Sequence, residues 1–323
     1  MNELLTYWIL KSLLRLLITG GLGFIGSHLV DNLSKRNNEI LILTKTLSKK
    51  SNLQNLSKNV KIKKIDLTDY QKVGKIIESF RPNVIIHLAG NTSHSKSFEK
   101  PMQDVDSNTK STLFMLEKIR EMRLSCKFIL GSTFIVIGRP KKLPVNEITP
   151  CNPTTIYGTN RLASEHLCKI YHDVYGIKTN IFRITNSYGP REQVIPNKNA
   201  VNFLIHQASK NKKVSIYNKG EFFRDLIFVD DVINGIVTIL KKGKPGELYW
   251  ISSAKKMWFK KFAEVLQKIT DCEISFPPTP GYTKKVDVGN FVVNNSKLKK
   301  LGWKPKVGIN SGVRKTINYF NSQ

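Results

Sequence analysis

Acidic side chains and cysteine pairs are what this 323-residue sequence has least of. Its 24 Asp and Glu stand against 52 Lys and Arg, for a formal net charge of +28. The four cysteines, Cys126, Cys151, Cys168 and Cys272, form no CxxC pair, and the six histidines form no pair at ligand spacing. No metal site and no disulfide framework is expected, and the thiols suit a reducing compartment, taken as the cytoplasm. Long apolar runs are missing too. Leu4 to Leu14 is rich in Leu, Ile and Trp, but Lys11 interrupts it, and it is shorter than the ~20 residues that span a bilayer. It lacks a small-residue cleavage site, so residues 1–14 are read as an N-terminal extension, with no stable membrane span. Arginine is scarce among the cations, at 11 Arg to 41 Lys. A surface that reads a phosphate backbone closely is richer in Arg. Lys61, Lys63 and Lys64 alternate with apolar residues, as on a solvated strand edge. The charge therefore reads as a solvated surface that favours anionic small molecules, and no nucleic-acid partner is expected.

What the sequence does have is organised around Leu16 to Val30. An apolar run, Leu16 to Ile18, meets a glycine cluster and resumes with helical spacing at Phe24, Ile25, Leu29 and Val30. This is the pattern of strand, tight turn and helix. Gly20, Gly23 and Gly26 let the chain turn, let backbone approach a pyrophosphate and let the helix sit close to the strand. The helix N-terminus offers free N–H groups and a positive dipole end.

Strand and helix patterns then alternate. Strands are expected at Glu39–Leu43, Val60–Ile65, Val84–Leu88, Lys127–Gly131 and Lys178–Ile184, and helices at Thr68–Phe80, Met102–Met122 and Pro153–Tyr175. The alternation predicts an α/β fold, a Rossmann-type doubly wound parallel sheet over residues 15–184. Ligands of such sheets sit at the carboxyl ends of the strands. After Thr185 the rhythm breaks at Gly189-Pro190 and Pro196. Residues 185–323 are read as a smaller substrate-binding lobe, with some segments returning to the first. Its helices are near Asn202–Ser209, from Asp230-Asp231 to Leu240 and near Ser311–Phe320. Its strands are Val214–Tyr217 and Leu226–Val229, with further structured pieces at Leu248–Ile251 and Phe259–Thr270.

Four further stretches carry chemistry or family character: Gly131 to Gly138, Pro153 to Glu165, Arg183 to Pro190, and Phe223 to Val232, with a late Leu301-Gly302-Trp303-Lys304-Pro305. With the glycine turn, the chain from about Arg15 onward resembles the extended short-chain dehydrogenase/reductase family, the NAD-dependent nucleotide-sugar epimerases and dehydratases. Tyr157 and Arg161 are four apart near a helix start and share a face. A phenol with a pKa near ~10 is a poor base at neutral pH, and a neighbouring cation is expected to lower that value. Thr133 can hold the substrate oxygen while Tyr157 takes its proton and hydride leaves the same carbon for a nicotinamide. The family pattern has Lys where this chain has Arg161, which keeps the charge in a longer, planar form.

The resemblance implies cofactor contacts at Gly20, Gly23, Phe24, Ile25 and Gly26, at Asp66 and Leu67, at Leu88, Ala89 and Gly90, at Tyr157 and Arg161, and at Ile184. Asn108 matches a structural Asn. After the second strand stand Thr44 and Lys45 instead of a ribose-binding Asp, so the cofactor is read as NAD or NADP. On the substrate side the resemblance points to Thr133, to Asn186, to Arg224 as a phosphate clamp and, more weakly, to Ser93. The alternative for Arg224 is an ion pair with Asp225 or Asp230. His94 is read as a surface residue, and Asp230-Asp231 as a helix cap that fixes the neighbouring Arg. Dehydrating members carry an Asp-Glu pair directly after the Thr, where this chain has Phe134 and Ile135. Elimination needs an acid and a base there, so epimerisation of a nucleotide-diphosphate sugar is favoured. An NADP-dependent ketosugar reductase and a weakly active binding protein are the alternatives. The family's paired long helices imply a homodimer, with Leu113, Leu116 and Leu162 as candidate contacts.

Overall fold

The computed structural model describes residues 13–53, 57–194, 199–278, 281 and 286–323. Pro196 and all but the last two residues of the N-terminal extension lie outside them. The first-half strands are β1 (Arg15–Thr19), β2 (Glu39–Thr44), β3 (Val60–Lys64), β4 (Val84–His87), β5 (Lys127–Thr133) and β6 (Thr179–Ile184). Between them run α1 (Phe24–Ser34), α2 (Tyr70–Phe80), α3 (His94–Glu99), α4 (Pro101–Val105), α5 (Ser111–Glu121) and α6 (Ile156–Tyr175). The second half adds β7 (Asn186–Tyr188), α7 (Ala200–Ser209), β8 (Val214–Ser215), β9 (Phe223–Arg224), β10 (Leu226–Phe228) and α8 (Val229–Lys242). It ends with β11 (Leu248–Ile251), β12 (Met257–Trp258), α9 (Phe259–Thr270), β13 (Ile274–Ser275), α10 (Ser296–Lys299) and α11 (Ile309–Asn321).

Seven parallel strands form one sheet in the order β11-β6-β5-β4-β1-β2-β3. Leu16, Leu17 and Ile18 in β1 are all fully buried. Successive side chains of a strand point to opposite faces, so a strand covered on both sides is apolar throughout. Leu16 and Ile18 join a core with Leu29 and Leu33 of α1 and Ile233 and Ile236 of α8. Leu17 joins the opposite core with Val73 and Ile77 of α2, Met115 of α5 and Cys168 of α6. β3 is the outer strand, and its Lys61, Lys63 and Lys64 are exposed. The strand order reverses beside β1, which is where such sheets open a ligand crevice.

Several elements depart from the sequence reading in ways that matter for the site. The helix expected over Met102–Met122 contains a π turn at Asp106–Lys110, with buried Asn108 inside it. α6 starts at Ile156 rather than Pro153, because the Thr155 hydroxyl accepts the Gly158 N–H at 3.0 Å and caps it. Of the expected Val214–Tyr217, Val214–Ser215 forms the strand, and the Ile216 N–H adds one more bond to the Ser275 carbonyl at 2.9 Å. Asp230 and Asp231 do not cap α8. The helix starts one residue earlier, directly after β10, with Phe228 at the cap position and no side-chain bond. Both carboxylates fall in the first turn, where the helix dipole still favours them. Asp231 accepts the N–H groups of Lys306 and Val307, each at 2.9 Å, and the Trp303 indole donates to its carbonyl at 3.1 Å. The late Trp-containing motif is thereby tied to the start of α8. Asp230 pairs with Lys315 and holds no arginine.

Candidate active site

The turn between β1 and α1 is built for close backbone approach. Gly20 has φ +70°, in the left-handed region that favours glycine. A Cβ on Gly26 would overlap the Gly20 carbonyl, so the helix reaches the strand only with glycine at that position. Gly23 occupies the cap position of α1 with no side-chain bond, and the first turn carries no acidic residue. The N–H groups of that turn have no partners within the helix, and they meet an anion with the dipole behind them. The cradle fits a dinucleotide pyrophosphate.

From this turn a cleft of about 2030 Å³ runs across the carboxyl ends of the strands. That exceeds the roughly 300–1,000 Å³ of a single small-ligand pocket, and it leaves room for a second ligand. Its walls include Gly20, Gly23, Phe24, Ile25 and Gly26, then Thr44 and Lys45 after β2, Asp66 and Leu67 after β3, and Leu88, Ala89 and Gly90 after β4. Thr133 ends β5, Ile184 ends β6, and Tyr157 and Arg161 project from α6. Asn186 and Arg224 stand on the same walls. Ser93 does not line the cleft; its hydroxyl accepts the Lys96 N–H and caps α3. Lys45 forms an ion pair with Asp66 at 2.7 Å, which offsets the charge left by the missing ribose-binding carboxylate.

At the centre, Thr133 and the buried Tyr157 phenol line the cleft together, and the threonine side chain acts to lower the phenol's pKa. Thr133 also accepts the Ile135 N–H at 3.3 Å. Arg161 follows one turn later, itself buried, and donates to Asn108 Oδ1 at 3.3 Å. Asn108 Nδ2 donates to the Asn91 carbonyl. The π turn aims Asn108 at Arg161, and Gly90, with φ +153°, leaves the space for its amide. Inserted turns of this kind recur at functional sites. The phenol differs from expectation in one respect. Burial pushes the Tyr157 pKa up, and this outweighs the lowering by Arg161 and by Thr133. The guanidinium is partly engaged by Asn108, so the protein alone leaves the base protonated at neutral pH.

Arg224 is held by neither Asp225 nor Asp230. It donates to Asp287 at 2.5 Å and to its neighbour's carbonyl at 3.1 Å, and its guanidinium lies 5.1 Å from the Phe222 ring centroid. Asp225 instead accepts from Ser253, Ala254 and Val293. His94 is half-buried rather than solvent-facing, with its ring 5.7 Å from that of Tyr157. A second buried cluster sits behind the site. Glu165 accepts from Arg183 and from the Ser132 hydroxyl, with both charged side chains about 4% exposed. The i,i+4 spacing from Arg161 to Glu165 shows that both lie on the buried face of α6, but no one-dimensional pattern pairs Glu165 with Arg183. Among the described residues no cluster of His, Cys, Asp and Glu could hold a metal ion, and no helix is long and apolar enough to cross a membrane.

A glycine cradle at the switch point of a parallel sheet, leading to a Thr–Tyr–cation set, defines a nicotinamide-dinucleotide enzyme of the short-chain dehydrogenase/reductase type. The profile of the family described as "GDP-mannose 4,6 dehydratase" matches residues 17–316. The chain belongs to that family, the NAD-dependent nucleotide-sugar epimerases and dehydratases. It is 29% identical over 310 residues to a putative UDP-glucose 4-epimerase of Methanocaldococcus jannaschii, covering 95% of this chain and 98% of the relative. It is 30% identical over 320 residues to human dTDP-D-glucose 4,6-dehydratase, covering 95% and 89%. Among solved structures, the UDP-glucose 4-epimerase of Thermotoga maritima with UDP-glucose superposes with a TM-score of 0.87 at 29% identity, covering 95% and 98%. The Thermus thermophilus UDP-glucose 4-epimerase complex with NAD gives 0.85 at 28%, covering 95% and 98%.

Proposed function

We propose that this chain is an NAD-dependent 4-epimerase of a uridine-diphosphate hexose. The observation that carries the reading is the wall directly after Thr133. Phe134 and Ile135 line the cleft there, and neither can donate or accept the protons of an elimination. The Thr–Tyr–cation set suffices for epimerisation. Tyr157 takes the proton of the C4 hydroxyl, Thr133 holds that oxygen, and Arg161 favours the phenolate. NAD, which the Gly20–Gly26 turn and the Leu88–Gly90 wall would hold, would supply the hydride acceptor and donor. Arg224 would hold a phosphate through its remaining donors, with Asn186 beside the sugar. Incubation with UDP-glucose is expected to give UDP-galactose, read by NMR, with no net change in nicotinamide absorbance. A 4-keto-6-deoxy product, or reductant consumed in step with product, would overturn the assignment.

The cofactor is proposed as NAD because Asp66 shares the charge of Lys45 and because the Thermus relative holds NAD. NAD is expected to bind at least about tenfold more tightly than NADP, a difference of ~1.4 kcal/mol. Calorimetry on the cofactor-stripped protein checks this, and equal affinities would return the 2′-phosphate to consideration.

The homodimer is proposed on a changed set of contacts. Leu116 is fully buried in this chain's own core and reaches no partner, while Leu162 is half-buried against a separate cluster that includes Trp250 and Phe291. Leu113 on α5 and Ile170 and Val174 on α6 are exposed, at 39%, 49% and 67%. Ile170 and Val174 are four apart and share a helix face. Sedimentation is expected to show a dimer for the natural chain and a monomer for Ile170→Glu with Val174→Lys.

A further inference from the structure

His94 opens α3. The Ser93 hydroxyl accepts the Lys96 N–H at 3.3 Å, and the Ser97 hydroxyl donates to the His94 carbonyl at 2.7 Å. These two bonds fix the backbone on either side of the imidazole. The ring then leans on Tyr157, tilted 59° to it, and lines the same cleft as Thr133 and the phenol. Among the described residues neither ring nitrogen has a hydrogen-bond partner. The acidic group that acts on the ring is Asp104, and its two oxygens already accept from Asn91 and Asn160. A half-buried polar ring beside an aromatic normally finds a partner. Here the direction left to it is the cleft. Burial pushes the imidazole pKa down, with Asp104 opposing, so the ring is neutral at pH 7. A neutral imidazole offers one donor and one acceptor. That matches a sugar hydroxyl, which also donates and accepts. A carboxylate could use only the donor, and a deoxy position neither.

We propose that His94 binds the hexose directly, by hydrogen bonding a ring hydroxyl next to the one that Thr133 and Tyr157 hold. The contact fixes which carbon faces the phenol and selects for sugars hydroxylated at that position. It deepens the epimerase reading and rests on it for the identity of the sugar.

The test is calorimetric titration of the NAD-loaded protein with UDP-glucose and with UDP alone, comparing the natural chain with His94→Phe and His94→Gln. Phe preserves the packing on Tyr157 and removes both polar atoms; Gln keeps a donor and an acceptor. Loss of one or two hydrogen bonds is expected to weaken UDP-glucose binding by about tenfold or more in His94→Phe. UDP affinity is expected to be unchanged, and His94→Gln to retain most of the natural affinity for UDP-glucose. A purely structural ring gives the reverse order, with Phe tolerated and Gln impaired. That order, an equal loss for UDP, or natural UDP-glucose affinity in His94→Phe would overturn the proposal. Product analysis on the same samples separates the two readings. Binding that depends on His94 without interconversion of UDP-glucose and UDP-galactose removes the epimerase assignment and leaves the contact standing. Interconversion with unchanged affinity in His94→Phe removes the contact alone.

Discussion

Tyr157→Phe is expected to lower kcat by roughly 10³-fold, within the range that a positioned general acid or base supplies, with cofactor binding and thermal stability nearly unchanged. The substitution removes one oxygen from a buried ring and leaves the ring's packing against His94 in place. The lost atom is the one that Thr133 acts on and that would take the substrate proton. Steady-state epimerisation measured beside NAD uptake checks this. A variant that keeps more than a tenth of the natural rate would show that the proton goes elsewhere. The upward shift of the phenol has a signed consequence for the natural enzyme. In the proposed mechanism its reactive form is the phenolate, so kcat/KM should rise with pH above neutrality until the phenol of the loaded enzyme ionises.

Glu165→Leu is expected to destabilise the fold by about 3–5 kcal/mol, the usual result of leaving a buried charge without its partner. Arg183 would then keep no carboxylate, while its position between α6 and the sheet shuts out water. A melting temperature lower by roughly 10 °C is expected, taking a few degrees per kcal/mol for a chain of this size. Glu165→Leu with Arg183→Leu should recover part of the loss, because the desolvation of both ions disappears together. If the double variant is as unstable as the sum of the two single ones, the pair is not the coupled unit described. Activity should fall with stability in the single variant, since Ser132, which donates to Glu165, immediately precedes Thr133.

The parts of the site visible in one dimension are those fixed by local geometry. The glycine turn is legible because each glycine answers a constraint within a few residues: a positive φ at Gly20 and contact between Gly26 and the Gly20 carbonyl. The parallel sheet is legible because strands covered on both faces must be apolar at every position. What stayed hidden depends on partners far apart in the chain. Asp287 holds Arg224 across 63 residues, and Arg183 meets Glu165 from a neighbouring strand. The π turn stayed hidden because Asp106–Lys110 is polar throughout, so no apolar side chain there marks the slip of phase that an inserted residue makes. His94 was misread because a lone histidine among serines and lysines has the look of solvent-facing sequence, and only the fold of α3 turns it toward the phenol.

β11 arrives late in the chain and pairs in parallel with β6, along the register Leu248 with Ile181 to Ile251 with Ile184. On the ribosome, therefore, some sixty residues separate the emergence of β6 from that of the strand that covers its outer side. Through that interval β6 presents a bare row of amide and carbonyl groups, the kind of template on which nascent chains stick to one another. A gene cut after Ile184 would make that exposure permanent, and its product should accumulate as insoluble material rather than as a working dinucleotide module.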